Sequence, residues 1–300
     1  MKTRPALAEM SRLADRYRVR NGGKLRLEDV DPADTRGVTS RSHAEKLLEK
    51  DIEILREMQE RLYAHDRWAL LLIFQGVDAA GKDSVIKHVM SGVNPQGCEV
   101  HSFKAPCAHE LDHDFLWRTH LACPQRGRIG IFNRSYYEEV VVTRVHPELL
   151  EAERLPEPLV GEHVWDERYE DINAHERYLG RNGTVIRKFF LHVSKEEQRR
   201  RLLERLDEPA KRWKFSLDDV KDRGLWPEYQ KAYQAAIRST ATKQAPWYIV
   251  PADHKWYTRL VVASVIIEAL DGLDLTFPEP DKVKRKELAK VRAALLGEKG

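Results

Sequence analysis

Residues 68–84 read WALLLIFQGVDAAGKDS, and this stretch decides the fold. Its first part, residues 68–75, is a continuous apolar run that ends in Gln, which is typical of a strand buried on both faces of a parallel sheet. Gly76 and Gly81 then enclose a short loop that ends in Lys82, and the helical pattern VIKHVM follows. The order of strand, loop and helix predicts a phosphate-binding loop of the GxxxxGK type.

The chemistry of this loop follows from its backbone. Glycines let several N–H groups point at one anion, the helix N-terminus adds partial positive charge, and Lys82 can reach a terminal phosphate oxygen. The loop residues predicted to bind phosphate are Gly76, Ala79, Ala80, Gly81, Asp83 and Ser84. The alternative is a Gly-containing tight turn with an incidental lysine, which the flanking strand and helix disfavour.

Asp78 stands inside this loop, where a bare carboxylate would repel phosphate unless a cation lies between them. An ordinary P-loop NTPase has a Ser or Thr directly after the lysine to hold Mg²⁺, but here Asp83 follows and Ser84 comes one position late. We therefore predict that Asp78 helps to hold Mg²⁺, directly or through water. The alternative is that Asp78 only orders the turn.

Further strand-length apolar runs lie along the chain, mostly with helix-like patterns between them. They cover residues 98–103, 128–133, 184–193 and 247–250, and a strong amphipathic helix pattern covers residues 40–65. This alternation predicts an α/β fold, a three-layer sandwich with a parallel sheet of the P-loop kinase type.

The chain divides into three predicted parts. Residues 1–39 are expected to form an N-terminal arm, residues 40–275 the P-loop domain, and residues 276–300 a charged C-terminal tail. Within the domain, the pattern breaks into a charged and aromatic segment at about residues 209–226. Such an excursion from a sheet predicts a helical lid.

Cationic residues extend the predicted site beyond the loop. Arg134 and Glu138 directly follow the third strand, so Arg134 should face Lys82 across a cleft at the carboxyl edge of the sheet. The other cations expected there are Lys87, Lys104, Arg144, Arg200, Arg201 and Arg205. About half of the arginines in the run at 199–205 would only pair with glutamates. The remaining cations still exceed what one nucleoside triphosphate needs, which favours a second, long polyanion.

Composition excludes several classes of protein. Of 300 residues, 42% are hydrophobic and 33% charged, which excludes wholesale disorder and an integral membrane protein. The formal net charge is only +3, so an anionic partner must be met by local clustering of charge. The three cysteines form no CxxC pair, which disfavours a zinc ribbon and a disulfide framework. No signal peptide or membrane-spanning stretch is present, so a cytoplasmic location is expected.

One histidine-containing segment needs a separate interpretation. Residues 109–120 include Asp112, His113, Asp114 and His120, which could suggest a metal site. Because neighbouring residues of a helix point apart, a solvated helix is the favoured interpretation. No GxSxG element supports covalent acyl chemistry either.

Seven blocks in this order resemble the polyphosphate kinase 2 family, over residues 40–275. They are GVDAAGKDS from residue 76, SFKAP from 102, DFLWRTH from 114, IGIFNRSYYEEV from 129, QRRRLLER from 198, RWKFSLDDVKDRGLWPEYQKAY from 212 and APWYIVPADHKWYTR from 245. The resemblance implies Mg²⁺-dependent phosphoryl transfer from inorganic polyphosphate to nucleoside mono- or diphosphates, with AMP, ADP and also GMP or GDP as acceptors. No nucleic-acid partner is expected, because base-stacking aromatics are not interleaved with the basic clusters, and no membrane partner is expected, because the apolar stretches are too short. The long helices favour a homo-oligomer, a dimer or tetramer.

The resemblance also implies roles for individual residues. Asp78 would coordinate magnesium and phosphates, Lys82 would bind the transferring phosphoryl group, and Arg134 would contact phosphate. Arg200, Arg201 and Arg205 would act from the base of the lid. Many members carry Asp where this chain has Asn133 and Asn where it has Glu138, so Asn133 is a neutral, weaker metal ligand and Glu138 adds a carboxylate near the acceptor. The pattern FNRSYYE looks like the subgroup that accepts both mono- and diphosphates.

The lid residues expected at the nucleotide are Trp213 and Lys214. Trp226, Tyr229 and Tyr233 are further candidates for stacking on a base, although aromatic residues at helical spacing are more often core residues. Two other functions are kept open. An ATP-dependent P-loop kinase of a small nucleotide would leave the surplus cations idle, and a non-catalytic polyanion binder would not explain Asp78.

Overall fold

The computed structural model describes residues 3–38 and 40–298, so the ends of the predicted arm and tail, at residues 1, 2, 39, 299 and 300, lie outside the described residues. Six strands form one sheet in the order β1-β6-β5-β2-β4-β3, parallel except for the pair β1 and β6. The strands are β1 (Arg18–Val19), β2 (Ala69–Gln75), β3 (Cys98–Ser102), β4 (Ile129–Asn133), β5 (Thr184–His192) and β6 (Trp247–Pro251). The predicted parallel sheet is confirmed.

Helices lie on both faces of this sheet. They are α1 (Thr3–Tyr17), α2 (Arg41–His65), α3 (Lys82–Val89), α4 (Ala108–Leu111), α5 (Trp117–Leu121), α6 (Glu138–Val145), α7 (Pro147–Ala152), α8 (Val164–Arg181), α9 (Lys195–Asp207), α10 (Leu217–Gly224), α11 (Trp226–Thr240), α12 (Lys255–Asp271) and α13 (Lys282–Gly297). A 3₁₀ segment, Pro209–Lys214, links α9 to α10. Among the described residues no helix has both the length and the apolar character needed to cross a membrane.

Two hydrophobic cores, one on each face of the sheet, explain the layers. All seven residues of β2 are buried, and their side chains alternate between the two faces. Leu70 and Leu72 pack with α2, α3 and α12, whereas Leu71 and Ile73 pack with α6, α8 and α11. The predicted three-layer α/β sandwich is therefore confirmed.

The strand order puts the ends of β2 and β4 side by side. Phe74 pairs with Asn133, and the N–H of Arg134 donates to the carbonyl of Phe74 at 3.0 Å. Because both strands end at the same edge, the loop after β2 and the polar residues after β4 must be neighbours. The sheet thus builds one site from segments about 55 residues apart in sequence.

The first 38 residues contain an element that the sequence did not reveal. The two-residue strand β1 pairs antiparallel with β6, and it is too short to show an alternating pattern. α1 packs on α12, and the Tyr17 hydroxyl lies 2.7 Å from that of Tyr257 and donates to Asp34 at 2.9 Å. α13 has no buried residue.

Asp51 provides a test of the packing of α2. It is 3% exposed, and burial, with Glu9 adding to it and Lys50 opposing, raises its pKa from 3.8 to about 7. Folding therefore favours the protonated carboxyl group of Asp51. The stability of the protein that depends on this protonation is complete at pH values below 3.8 and is lost as the pH rises through about 7. We expect Asp51→Asn to raise Tm by about 5 °C at pH 8 and much less at pH 5, measured by calorimetry. An equal shift at both pH values would contradict the buried acid, and the exposed Glu53→Gln is the control.

Candidate functional site

The loop after β2 is curled by residues with positive φ. Gly76 has φ +152° and Gly81, the residue before α3, has φ +109°. A Cβ on Gly76 would come within 3.0 Å of the carbonyl oxygen of Leu191, so glycine is needed there. Ala79 also has a positive φ, 62°, a left-handed conformation that costs a non-glycine residue about 1 kcal/mol. Backbone strain of this kind is concentrated at functional sites.

Lys82 is the first residue of α3 and is buried at 8% exposure. Its Nζ donates to the carbonyl oxygen of Gly76 at 2.7 Å and lies 3.4 Å from that of Val77. Burial lowers the pKa of this ammonium, and the nearby Arg134 lowers it further, whereas Asp78 raises it. The cation is held inside the loop by neutral carbonyls, in a place where a phosphate oxygen would be a stronger partner.

Arg134 joins β4 to the loop. Its Nη2 donates to Asp78 Oδ1 at 2.7 Å, and its Nη1 lies 3.6 Å from Glu138 Oε2. Its φ is 65°, a second strained backbone position at the site. Burial raises the pKa of Glu138, with Arg134 and Lys82 opposing that shift. The predicted proximity of Arg134 to the loop is present, and it takes the form of an ion pair with Asp78.

Two cavities meet at the pair of Asp78 and Arg134, which lines both. The larger is an open cleft of about 560 Å³ over the loop. Four carboxylates and eight cationic side chains line this cleft. The cations are Lys82, Lys104, Arg134, Arg201, Arg205, Lys211, Lys214 and Lys255. The smaller cavity, about 60 Å³, is lined by aromatic and acidic residues, among them Glu138, Asp222, Trp226, Tyr229 and Tyr233.

Most predicted site residues come together around these cavities. The larger cleft brings together Asp78, Ala79, Gly81, Lys82, Asp83, Ser84, Lys104, Asn133, Arg134, Arg201, Arg205, Trp213 and Lys214, and the smaller cavity adds Gly76 and Glu138. Ala80 is buried behind the loop, at 2% exposure.

Three predicted cations lie outside both cavities. Lys87 is exposed on α3, more than a turn beyond Lys82. Arg144 donates to the Tyr169 hydroxyl at 3.0 Å, on the side of α6 that faces α8. Arg200 is an exposed residue of α9 that pairs with Glu197 at 2.7 Å. Sequence spacing could not separate these residues from their neighbours, because the burial of each helix face decides which cation reaches the cleft.

Arg201 differs from Arg200 because it is buried, at 5% exposure. Its Nη1 donates to the carbonyl oxygens of Ala79 at 3.1 Å and Ala80 at 2.7 Å, and its Nε donates to Glu197 at 2.7 Å. The planar guanidinium carries five N–H donors in a rigid arrangement, so one arginine can bind several backbone acceptors at once. Arg201 therefore supports the loop from behind, a contact that the sequence alone did not reveal.

We expect Arg201→Lys to lower the free energy of unfolding by about 3 kcal/mol, because an ammonium cannot satisfy all of these buried acceptors. The neighbouring variant Arg200→Lys is the matched control and should change it by less than about 0.5 kcal/mol, since its ion pairs are exposed. Urea unfolding of the two variants measures the difference. Equal effects would contradict the assignment of Arg201 to the loop.

Oxygen donors collect beside the loop. Asn133 Nδ2 donates to Asp83 Oδ1 at 2.7 Å, and Lys214 Nζ lies 3.4 Å from Asp83 Oδ2. Burial alone would raise the pKa of Asp83, but the amide of Asn133 and the charge of Lys214 outweigh it and hold the pKa below its ordinary value. The carboxylates of Asp78 and Asp83, with the side-chain oxygens of Asn133 and Ser84, line one cleft. A set of hard oxygen donors suits Mg²⁺.

The 3₁₀ segment and α10 contribute side chains to the lining of the cleft, and polar contacts tie α10 to the rest of the domain. Arg205 Nη1 donates to Asp219 at 2.8 Å, and His146 lies 2.9 Å from Asp222. Trp213 is 78% exposed at the edge of the cleft, whereas Tyr229 and Tyr233 are buried in the core. Of the four candidates for base stacking, Trp213 is thus the one with a widely open face.

Several residues at the site were missed by sequence reasoning. Gln198 Nε2 donates to the carbonyl oxygen of Asp78 at 3.0 Å, and Arg223 donates to Gln198 at 2.9 Å. The cleft also includes Lys211, Asp219 and Lys255. Apart from Lys211, these residues lie within the seven sequence blocks quoted above, but single polar residues on helices carry no motif of their own.

Comparisons with known proteins identify relatives of this chain. The family model described as Polyphosphate kinase 2 (PPK2) matches residues 38–278. An ADP-polyphosphate phosphotransferase of Rhodopseudomonas palustris is 50% identical over 93% of this chain and 97% of its own length, and an AMP/ADP-polyphosphate phosphotransferase of Meiothermus ruber is 44% identical over 90% and 98%. A crystal structure of Polyphosphate Kinase 2 from Arthrobacter aurescens TC1 matches with a TM-score of 0.84 and 38% identity, covering 92% of this chain and 96% of that one.

Proposed function

Because this chain belongs to the polyphosphate kinase 2 family, we propose that it is a kinase-type transferase that moves phosphoryl groups between inorganic polyphosphate and nucleotides. AMP and ADP are the acceptors that the names of its relatives support. The observation that carries the proposal is the cation-lined cleft over the phosphate loop, which meets a second cavity at Asp78 and Arg134. GMP and GDP are proposed as further acceptors.

The charge of the cleft favours polyphosphate over ATP as the donor. Eight cations against four carboxylates leave a local excess of positive charge in a chain whose net charge is only +3. A single triphosphate carries fewer negative charges than the cleft has cationic side chains. A chain of many phosphates can engage at once those cations that face the cleft, whereas Arg201 is committed to the loop carbonyls.

The chemistry we propose is direct in-line transfer without a phosphoenzyme. The phosphate of an acceptor nucleotide is already ionised at pH 7, so the attacking oxygen needs no strong general base. Lys82 and Arg134 neutralise the charge that develops on the moving group, and the loop N–H groups fix its position. Glu138, which lines the second cavity, would orient the acceptor side of the reaction.

Mg²⁺ is the proposed cofactor, held by Asp78 with Asn133 as a weaker ligand. The donor set fits, since Asp78, Asp83 and Asn133 supply oxygens to the same cleft. When bound, the ion would supply positive charge that offsets the negative charge of the phosphate groups. Asp78 also accepts from Arg134, so the guanidinium of this chain and the ion would share one carboxylate.

Four further predictions from the sequence stay proposals. We propose that residues 209–226 act as a lid, with Trp213 stacking on the base and Lys214 near the nucleotide. We also propose the division into an N-terminal arm (residues 1–39), a P-loop domain (residues 40–275) and a C-terminal tail (residues 276–300). A homo-oligomer and a cytoplasmic location, argued from the helices and the cysteine spacing, are proposed as well.

One assay tests the activity. The purified protein is incubated with Mg²⁺, one donor and one acceptor, where the donor is long-chain polyphosphate or ATP and the acceptor is AMP, ADP, GMP or GDP. Nucleotide products are separated and measured. We expect turnover with polyphosphate at least about 10-fold faster than with ATP. Faster turnover with ATP would favour a nucleotide kinase, and stoichiometric binding without Mg²⁺-dependent turnover would favour a polyanion-binding protein.

A further inference from the structure

Three metal-ligating side chains come together outside the two cavities. His120 lies on α5, Cys123 lies two residues after that helix, and His175 lies on α8. Their ligand atoms all lie within 4.8 Å of one another. The fold creates this cluster by packing the connection between β3 and β4 against α8, so residues about 50 positions apart in sequence become neighbours. None of the three residues lines the cavities at the phosphate loop.

His175 and Cys123 have ligand atoms without a strong partner, and because burial raises the pKa of the Cys123 thiol to about 11, the metal would have to displace its proton. The Nε2 atom of His175 is buried and has no hydrogen-bond partner among the described residues. Burial lowers the pKa of His175 to about 4, with His120 adding to the shift, so the imidazole is neutral at pH 7. Cys123 is half-buried and its Sγ makes a single weak contact, 3.6 Å from the carbonyl oxygen of Thr119. A buried nitrogen without a partner costs free energy unless something else satisfies it.

We propose that His120, Cys123 and His175 form a site for Zn²⁺, with solvent as the fourth ligand. Two imidazoles and a thiolate are the donors that Zn²⁺ prefers, and they do not suit Mg²⁺. In a tetrahedral site such donors lie about 3.5 Å apart, so the side chains must close in by about 1 Å. His120 is exposed, which leaves the fourth position open to water. Binding deprotonates Cys123, and the thiol proton passes to solvent.

The metal site disfavoured from sequence at residues 109–120 shares only His120 with this cluster. It was disfavoured because Asp112 and His113 would point apart on one helix. In the structure α4 ends at Leu111 and α5 begins at Trp117, so residues 112–116 break that helix. His120 finds a partner on α8 instead, which no spacing along the segment could show.

A metal here would brace a segment that reaches the proposed active site. α5 also carries Arg118, whose Nη1 donates to the carbonyl oxygen of Lys104 at 2.8 Å and whose Nη2 donates to Glu139 at 2.8 Å. Lys104 lines the cationic cleft. Cross-linking α5 to α8 would therefore stabilise the β3–β4 connection, although the metal itself lies away from the phosphate loop.

Co²⁺ tests the proposal as a coloured substitute for Zn²⁺. The full-length protein is reduced and stripped of metal with a chelator, which is removed before Co²⁺ is titrated in. We expect one equivalent to give ligand-field bands of tetrahedral Co²⁺ and a charge-transfer band from thiolate, both abolished by Zn²⁺. The charge-transfer band should disappear in Cys123→Ser and persist in Cys107→Ser, which removes an exposed thiol.

A second variant keeps the proposal testable if Cys123→Ser folds poorly. His120 is exposed, so His120→Asn should fold normally and weaken Co²⁺ binding at least about 10-fold. Zn²⁺ should raise Tm of the wild-type protein and of Cys107→Ser more than that of His120→Asn. No thiolate band in the wild-type protein, or a band that Cys107→Ser removes and Cys123→Ser retains, would overturn the proposal.

Discussion

Replacing Lys82 by methionine is expected to lower kcat for polyphosphate-dependent nucleotide phosphorylation at least about 100-fold, the scale for losing one preorganised electrostatic group. Lys82 is the buried cation of the phosphate loop, and its Nζ lies 2.7 Å from the carbonyl oxygen of Gly76. Methionine keeps most of the length of the side chain and removes its charge. A loss of about 100-fold corresponds to about 2.7 kcal/mol of transition-state stabilisation.

A control variant must show that the loss of activity in Lys82→Met comes neither from unfolding nor from the change in the net charge of the protein. Lys46→Ala, at an exposed position of α2, removes the same charge away from both cavities and should leave kcat within about 2-fold of the wild type. Thermal unfolding of both variants shows whether the fold is retained. Turnover by Lys82→Met at a rate close to that of Lys46→Ala would refute the proposed role of the loop.

The parts of the fold that sequence predicts well are those with a local physical cause. β2 is apolar at almost every position because both faces are buried, and it was predicted within one residue. Gly76 and Gly81 are required by positive φ, so their spacing alone marks the loop in the sequence. The position of Arg134 near the loop could also be predicted, because the residues that come directly after neighbouring parallel strands lie at the same edge of the sheet.

Other features depend on packing that no short segment encodes. Arg200 and Arg201 are neighbours of the same residue type, yet Arg201 is buried against the loop and Arg200 is exposed. Whether a helix face meets the loop or the solvent is decided by the angle at which α9 lies on the sheet. The His120, Cys123 and His175 cluster is equally invisible, because its members come from elements that meet only in three dimensions.

The contacts around Asp78 also connect the two halves of the site. Its side chain accepts from Arg134 at 2.7 Å, and its backbone carbonyl accepts from Gln198 at 3.0 Å. Gln198 in turn accepts from Arg223 of α10, at 2.9 Å. A movement of α10 is therefore linked to the loop through two hydrogen bonds. This link gives the proposed lid a physical route to the residue that both cavities share.

Asp78→Asn is the second variant with a large expected effect, at least about 100-fold on kcat. The amide has the shape of the carboxylate but not its charge, so it is a weaker partner for Mg²⁺ and for Arg134. We also expect the Mg²⁺ concentration for half-maximal activity to rise at least about 10-fold, measured by titrating Mg²⁺ at saturating substrates.

The Mg²⁺ titration decides between the two interpretations of Asp78. If the carboxylate only orders the turn, Asp78→Asn will lower Tm and leave the Mg²⁺ requirement unchanged. If it holds Mg²⁺, the Mg²⁺ concentration required for activity will rise while Tm stays close to that of the wild type. Asp112→Asn is the matched control, since Asp112 is an exposed carboxylate that pairs with Arg154 and lines neither cavity. An unchanged Mg²⁺ requirement in Asp78→Asn would remove the reason for a carboxylate inside a phosphate loop.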